Sequence, residues 1–385
     1  MDSHTFWKTQ PVVETTIIPE SEFGPVETPT IDQIKTDSYG LPPGFEFHTL
    51  DLDNEEELNK VQKFLNVNYL ESDDENMRFA YSKECIKWIT QCPSHYPELF
   101  ICVRTTNNKS IIATIFGIPV NAKIYDKIIP QIEINLLCVN KKFRNKRLAP
   151  VMIKEVTRRT NLRGIFQAVY TAGLDLPNKL ATIQYMHRVI NVKKMSSIGF
   201  FSIVENKISI YEKLYKIKIP KLEPGYIIRS IKLSDVDSCL SKLNTSLAKY
   251  KLTHVFDKES FTHYFMSKPN VVYTQVIEKD GLITDMISFY IIDNVIGNNS
   301  DYSGYKAGYL YYYFNSSLEL SKLINIGLWY GKEAGVDVFN ILKMFDLQSI
   351  IADCKFVQGT GTLNYYLYNY KCNPLRADEI AFPMF

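Results

Sequence analysis

A basic loop between an apolar strand and a helix constrains the fold of this chain more than any other feature. The run EINLLCV predicts a strand, the run APVMIKEVTRR predicts a helix, and five of the seven residues from Lys141 to Arg147 are cationic. Pro150 fits the first turn of that helix, where its missing N–H costs nothing. Free amides at a helix N-terminus and nearby Lys and Arg side chains together favour an anion such as a pyrophosphate. A solvated basic turn or a localisation patch is the alternative interpretation of the loop.

The composition is that of a globular protein without a broad electrostatic function. The chain has 385 residues, enough for two or three domains, and its formal net charge is only +2. Such near-neutrality excludes a broad basic face for nucleic acid. The 7 cysteines are scattered without a C-x-x-C pair, which predicts neither a disulfide framework nor a zinc site and fits a reducing compartment. We therefore expect a cytoplasmic protein without a metal.

Neither the N-terminal residues nor the apolar segments indicate a membrane protein. The N-terminus lacks the apolar region of a signal peptide, and Asp285 and Asp293 interrupt the apolar stretch between Ile283 and Ile296. The first forty-five residues contain 6 prolines and little periodicity. This pattern predicts an extended arm that wraps the body of the protein.

The predicted elements occur twice in the same order. In the first round, two amphipathic helices precede antiparallel strands, the strand Ile132 to Val139, the basic loop and the long helix. A weaker version follows the linker Lys218 to Gly225, so we predict two halves, 1–217 and 218–385. The order resembles that of the acyl-coenzyme-A-binding acetyltransferase fold. The predicted fold class is therefore α/β, with two fused acetyltransferase-like (GNAT) halves in pseudo-twofold symmetry and a mixed twisted sheet flanked by helices.

The strand Ile132 to Val139 would contribute to a binding site if it splayed from its neighbour. Its unpaired amides could then bind a pantetheine chain or polarise a thioester carbonyl, whose developing negative charge needs two hydrogen-bond donors. The alternative is a fully paired core strand, and the sequence of this strand considered alone favours that alternative.

Nine segments, in order along the chain, resemble the N-myristoyltransferase family. The segments are residues 6–12, 41–47, 68–82, 133–159, 166–177, 185–191, 285–290, 335–340 and 363–372. The resemblance implies that the first half holds myristoyl-coenzyme A and that the second half forms most of a peptide groove. The implied reaction transfers a C14 acyl group from the thioester to the α-amine of an N-terminal glycine. It also implies a monomer that binds myristoyl-coenzyme A before the peptide.

The resemblance also implies a base and an oxyanion hole. An α-ammonium group with a pKa of about 7.7–8.0 is mostly protonated at neutral pH and must lose a proton before it attacks. The implied base is the C-terminal carboxylate, here that of Phe385. Asn135 and Thr171 match the residues that hold the amine, and the amides of Leu136 and Leu137 match the oxyanion hole.

Binding of coenzyme A is implied for the arm, for the end of the strand and for the basic loop. Phe6 and Trp7 match the part of the arm that covers the cofactor. The complete set of expected cofactor contacts is Phe6, Trp7, Leu136, Leu137, Cys138, Val139, Arg144, Asn145, Lys146, Arg147, Leu148, Ala149 and Pro150.

Peptide binding is implied for aromatic residues of both halves and for an acidic loop, Glu71 to Glu75. The expected contacts are Tyr69, Asp73, Asp74, Phe79, Tyr81, Tyr185, His187, Ser288 and Leu363. Each Tyr and His is also explained as an ordinary core residue, and the acidic loop as a solvated turn. The acidic loop lacks the glycine turn and the spaced terminal Glu of a calcium loop.

The chain departs from the family near its C-terminus. Val357 and Thr360 stand where the family has Gly and an acidic residue, and Ser72 replaces another position that is often acidic. A β-branched residue at Val357 would be strained if the backbone there required a positive φ. These departures motivate a rival hypothesis, a catalytically weak protein of the same fold that binds acyl-coenzyme A or lipopeptides. They also predict a weaker preference for a basic residue in the substrate peptide.

Overall fold

The computed structural model describes residues 5–13, 17–72, 76–204 and 207–385. Asp73 and Asp74, which were expected to bind the peptide, lie outside these residues. The first part of the chain forms β1 (Phe45–Thr49), α1 (Glu55–Asn68), β2 (Met77–Ala80), α2 (Lys83–Thr90), β3 (Phe100–Thr105), β4 (Ile111–Ile124), β5 (Lys127–Val139), α3 (Leu148–Asn161), β6 (Ala168–Ala172), β7 (Lys179–Val189), α4 (Val192–Ser197) and α5 (Ile208–Leu214).

The second part repeats this order up to its last element, where the strand β15 replaces the two helices α4 and α5. It forms β8 (Tyr226–Ser230), α6 (Val236–Leu247), β9 (Leu252–His254), α7 (Lys258–Phe265), β10 (Val272–Lys279), β11 (Leu282–Ile296), β12 (Gly304–Asn315), α8 (Leu320–Glu333), β13 (Val338–Leu342), β14 (Val357–Tyr368) and β15 (Ile380–Ala381). The helix predicted after the basic loop is α3, which begins two residues before Pro150 and therefore keeps that proline in its first turn.

The described strands join in one 15-stranded mixed sheet that has a repeated order. Its main path runs β1-β3-β4-β5-β6-β14-β7-β13-β12-β11-β10-β8. The two outer series mirror each other, since β1, β3, β4, β5 and β6 correspond to β8, β10, β11, β12 and β13. The predicted α/β fold with a mixed sheet flanked by helices is therefore confirmed.

The centre of the sheet is built by an exchange of strands. β14, from the second part of the chain, pairs with β6 of the first part, and β7, from the first part, pairs with β13 of the second. β14 and β7 also pair with each other. Element order along the sequence does not reveal this exchange, because long-range pairing depends on the tertiary structure.

One break in the sheet positions the functional site. The parallel pairing of β5 with β6 involves only Ile132 and Glu133 on β5, and the rest of that strand toward Val139 pairs with β4 alone. The splay that we considered for this strand is therefore present. In the second part of the chain, β12 and β13 correspond to β5 and β6, and β12 pairs with β13 only from Ala307 to Tyr309.

Local sequence explains the helices that flank this break. The side chain of Asn54 caps α1 by accepting hydrogen bonds from the amides of Glu56 and Glu57, and the acidic first turn suits the positive end of the helix dipole. On α1, Leu58, Val61 and Leu65 recur at helical spacing and are buried against the sheet.

Candidate functional site

The splayed part of β5 contains a β-bulge at Leu136 and Leu137. The pairing register with β4 shifts between Thr114 and Phe116, and Leu136 has a φ of 50°. The hydroxyl of Thr114 donates to the carbonyl of Leu136 at 2.8 Å and holds the bulge. A left-handed non-glycine residue in a buried strand costs energy and is found where the local backbone serves a function. The bulge takes Leu136 and Leu137, the two residues expected to form the oxyanion hole, out of the pairing register with β4.

An apolar cavity lies beside the bulge. It has a volume of about 120 Å³ and is bounded by β5, β6, α3 and the N-terminal arm. Leu137 and Thr171 contribute to its wall, and its other lining residues include Ile134, Ile153, Val156, Phe166, Tyr170 and Tyr368.

The arm covers this cavity with Trp7. The indole is buried and stacks on the ring of Tyr170, with ring centroids 5.7 Å apart and planes 3° from parallel. Phe6 contacts the indole edge-on at 5.2 Å. The two arm residues expected to contact the cofactor are therefore at the cavity.

The basic loop ends at the N-terminus of α3. Arg147 has a φ of 56°, and no side chain caps the first amides of the helix. Lys146 and Arg147 are exposed, and neither has an ion pair among the residues that the structure describes. Arg144 donates to the carbonyl of Asn68 at 2.7 Å and lies 3.7 Å from Glu71, which also pairs with Lys141. The loop therefore presents two cations and an uncapped helix end to solvent, an arrangement suited to a pyrophosphate.

The end of the chain is buried between the two halves. Ile380, Ala381 and Phe382 have no exposed surface. The carbonyls of Ala381, Phe382 and Met384 are held by hydroxyls: Thr253 donates to Ala381 at 2.9 Å, Tyr365 to Phe382 at 2.8 Å and Tyr290 to Met384 at 3.3 Å. These bonds fix the register of the terminus, on which the position of its carboxylate depends.

The ring of Phe385 lies in an aromatic cage. Its centroid is 4.7 Å from that of Trp88 and 5.4 Å from those of Tyr290 and Tyr311. Tyr264 stacks on it at 5.9 Å. Among the described residues, no Lys, Arg or His side chain forms an ion pair with the terminal carboxylate. No fixed cation from the described part of the chain would therefore compete at that carboxylate with an incoming ammonium.

Asn135 and Thr171, the residues expected to hold the amine, lie on the two strands that splay apart. Asn135 is buried on β5 and its Nδ2 donates to Glu133 Oε1 at 2.8 Å. Thr171 on β6 pairs with Tyr365, whose hydroxyl holds the carbonyl of Phe382. The strand exchange at the centre of the sheet therefore connects Thr171 to the C-terminal tail.

The aromatic residues expected to bind the peptide form two contacting groups. Tyr81 lies 6.0 Å from Tyr69 and 6.1 Å from Phe79, by ring centroids, and its buried hydroxyl has no hydrogen-bond partner among the described residues. Tyr185 stacks near His187 at 6.5 Å. Burial raises the pKa of Tyr185 to about 12 and lowers the pKa of His187, although a hydrogen bond between Nδ1 and Asn340 at 2.7 Å opposes the latter shift. These groups are therefore neutral at neutral pH.

The other two expected peptide contacts differ in exposure. Ser288 is completely buried and its hydroxyl accepts from Thr274 at 2.8 Å. Leu363 is half-buried on β14, where it pairs with Ile183.

Val357 and Thr360, two of the residues at which the chain departs from the family, lie on and beside a bulge of β14. Val357 pairs with His187 in this strand and is not among the residues with positive φ, so it carries no backbone strain of that kind. The register shifts between Gln358 and Thr362, and Thr360 in this bulge is exposed. The geometric argument for impaired activity through Val357 is therefore wrong.

Sequence reasoning missed the aromatic cage and the polar residues behind it. The cage members Trp88, Tyr264, Tyr290 and Tyr311 come from four separate elements. The run Tyr309 to Phe314, with five aromatic residues in six, was the one visible signal. Glu133 and His254, which lie 3.4 Å apart and are buried, were also missed.

The described residues contain neither a helix that could span a membrane nor a cluster of metal-ligand side chains. None of the helices there is long and apolar enough to cross a bilayer. In the same part of the chain, no three His, Cys, Asp or Glu side chains are grouped as metal ligands.

Comparisons with known proteins agree over the whole chain. Residues 25–183 match the model of the myristoyl-CoA:protein N-myristoyltransferase N-terminal domain, and residues 197–381 match that of its C-terminal domain. A glycylpeptide N-tetradecanoyltransferase of Dictyostelium discoideum is 39% identical, covering 98% of this chain and 92% of its own length. A probable glycylpeptide N-tetradecanoyltransferase of Caenorhabditis elegans is 36% identical, covering 98% and 85%.

A solved structure gives the same result for the fold. The crystal structure of Saccharomyces cerevisiae N-myristoyltransferase with bound myristoyl-CoA has a TM-score of 0.93 to this chain at 33% identity, and the match covers 100% of both chains. The chain is an acyltransferase and belongs to the myristoyl-CoA:protein N-myristoyltransferase family.

Proposed function

We propose that this protein transfers the myristoyl group of myristoyl-CoA to the α-amine of an N-terminal glycine in peptides or proteins. The observation that carries the proposal is the apolar cavity beside the splayed strand β5, which is closed by Trp7 and lined by α3, the helix whose uncapped start follows the basic loop. An acyl chain is apolar and the pyrophosphate of coenzyme A is anionic, so the two parts of the donor match the cavity and the start of the helix. The solved relative from yeast contains myristoyl-CoA.

In the proposed reaction, the bulge of β5 stabilises the developing charge on the thioester oxygen. The amides of Leu136 and Leu137 are the proposed donors, because they lie at the bulge next to the cavity. Removing one donor of an oxyanion hole typically costs about 2.7–4 kcal/mol of transition-state stabilisation. The thioester carbon–sulfur bond breaks as the new amide bond forms, and coenzyme A leaves as the thiol.

The proposed base is the carboxylate of Phe385. The substrate α-ammonium must lose a proton before it attacks, and a carboxylate without a competing cation can accept it. Asn135 and Thr171 lie on either side of the splay and would hold the amine between the base and the thioester. The aromatic rings around Phe385 would limit the access of water to the reacting groups and so strengthen these interactions.

A transfer assay tests the proposal. Alkyne-tagged myristoyl-CoA and an octapeptide GxxxS should give a labelled peptide in the presence of the protein. Tight binding of myristoyl-CoA without transfer would instead support the rival hypothesis of a binding protein.

The base is tested by changing only the terminal charge. A semisynthetic protein that ends in a carboxamide at Phe385 should bind myristoyl-CoA normally and lose nearly all turnover, because the amide cannot accept the proton. A matched semisynthetic protein with the native carboxylate is the control. Equal turnover of the two proteins would reject Phe385 as the base.

A further inference from the structure

One side of β5 carries three buried polar residues in alternation. Gln131, Glu133 and Asn135 are exposed by 0%, 2% and 5%, and they alternate with Ile132 and Ile134. Successive residues of a strand point to opposite sides, so the three polar side chains share one side of the sheet. A core strand normally has apolar residues at these positions, and a departure of this kind is expected at functional sites.

Glu133 connects two parts of the proposed active site. Its Oε1 accepts from Asn135 Nδ2 at 2.8 Å, and its Oε2 lies 3.4 Å from Nε2 of His254. His254 is buried at the end of β9, and its ring stacks on Phe382 of the C-terminal tail with centroids 3.6 Å apart. Nδ1 of the same ring lies 2.5 Å from the hydroxyl of Tyr312, which donates to the carbonyl of Ala381 at 3.3 Å.

The bond from Asn135 to Glu133 determines which end of the amide is free. The carboxylate oxygen accepts, so it holds the NH₂ group of Asn135 on the side of Glu133 and leaves Oδ1 on the other side. An amine or ammonium of the substrate donates hydrogen bonds and requires an acceptor. The reverse orientation of the amide would present NH₂ to the substrate and repel it.

We propose that Glu133 is a positioning residue of the acyl transfer: it orients Asn135 so that Oδ1 faces the substrate amine. His254 in turn holds Glu133 against the C-terminal tail. This inference rests on the proposed function, because it takes Asn135 as a residue that holds the amine. It deepens that proposal by linking the amine-binding side chain and the base-bearing tail through one buried set of contacts.

The test is a double-mutant cycle on kcat/KM for the peptide. Glu133→Leu removes the acceptor at similar volume and should lower kcat/KM by about 10- to 100-fold, a range typical of a misplaced catalytic contact. Asn135→Ala should have a similar effect. If Glu133 acts through Asn135, the double variant should be no more than about threefold worse than Asn135→Ala. A purely structural role of Glu133 would make the two losses multiply, which would overturn the proposal.

Gln131→Leu is the matched control. It makes the same kind of change on the same side of the same strand, but within the described part of the chain neither polar atom of Gln131 has a hydrogen-bond partner. Its activity should stay within about twofold of the wild type, and an activity as low as that of Glu133→Leu would assign the loss to packing of β5. Glu133→Gln keeps an oxygen that can accept from Asn135 and should recover part of the lost activity.

Two measurements separate this inference from the proposed function. The dissociation constant for myristoyl-CoA should be the same for the wild type and Glu133→Leu, which confirms folding independently of turnover. A wild-type protein without transfer activity would reject the proposed function itself. An active wild type with an equally active Glu133→Leu or Asn135→Ala variant would reject only the positioning role.

Discussion

At the scale of single residues, Gly359 sets a tight steric limit at His187. A Cβ at this position would lie 2.2 Å from Nε2 of His187, and Asn340 holds the other side of the ring. Since β14 bulges at this point, the glycine brings its backbone close to an imidazole that was expected to contact the peptide. The need for glycine here comes from this close approach rather than from a positive φ.

We expect Gly359→Ala to raise the KM for the peptide by about tenfold, because overpacking typically costs about 1–3 kcal/mol and the imidazole must move. The dissociation constant for myristoyl-CoA, measured by calorimetry, should not change. Gly361→Ala is the control, since its Cβ would be 3.7 Å from Tyr185, an ordinary contact. Equal peptide KM values for the two variants would contradict the steric argument.

A second residue-scale effect concerns pH. Burial lowers the pKa of His263 to about 4, and a hydrogen bond between Nε2 and the carbonyl of Trp88 at 2.7 Å opposes only part of this shift. The unfolded chain takes up this proton near pH 6.5, whereas the folded protein does so only near pH 4. The stability contributed by neutral His263 is therefore complete above pH 6.5 and is lost as the pH falls toward 4.

We expect the free energy of unfolding to decrease by about 2 kcal/mol through this residue between pH 7 and pH 5. Urea unfolding at the two pH values measures the change. In His263→Gln the decrease should be smaller by that amount, because glutamine does not titrate. Parallel pH profiles of the two proteins would exclude His263 as the source.

At the scale of elements, one buried carboxylate fixes the arm to α3. Glu155 has no exposed surface, accepts from Arg158 at 2.7 Å and Arg159 at 2.8 Å, and also accepts from the backbone amide of Tyr39. Arg158 in turn donates to the carbonyl of Thr36. Burial raises the pKa of Glu155, but the hydrogen bonds from the two arginines outweigh it and the pKa is lowered. The arm is therefore held on the helix that forms one wall of the apolar cavity.

We expect Glu155→Ala to lower the free energy of unfolding by about 3–5 kcal/mol, because it leaves two partly buried arginines without their partner. Limited proteolysis should then cut the arm between residues 17 and 44 faster than in the wild type. Glu56→Ala, which removes an exposed pair with Lys60, is the control and should change neither measurement. Unchanged cleavage in Glu155→Ala would show that other contacts hold the arm.

At the scale of the whole molecule, the strand exchange makes the two halves depend on each other. β14 supplies the neighbour of β6 and β7 supplies the neighbour of β13, while the C-terminal β15 pairs with β9. A fragment cut near residue 217 would lack a central strand and expose a long sheet edge in each part.

We expect residues 1–217 and 218–385 to be insoluble or unfolded when produced separately. Calorimetry of the intact chain should give one transition with equal calorimetric and van't Hoff enthalpies. Co-expression of the two fragments should restore a soluble complex that binds myristoyl-CoA. Two separate thermal transitions in the intact protein would contradict the dependence.

The α/β class, the repeated element order and the basic loop before α3 could all be predicted from the sequence. These features depend on local information: the alternation of apolar residues, the charge of seven consecutive residues and the position of Pro150 in the first turn of a helix. Family resemblance added the roles expected of Trp7, Asn135 and Phe385.

How these parts meet could not be predicted from the sequence, because it depends on long-range contacts. The exchange of β7 and β14, the bulge at Leu136, and the contacts of Glu133 with Asn135 and His254 join residues that are distant in the chain. A positive φ at a leucine and a buried glutamate are unfavourable locally, so no propensity predicts them. They persist because the packing of both halves around the C-terminal tail compensates for their cost, and that packing exists only in the folded protein.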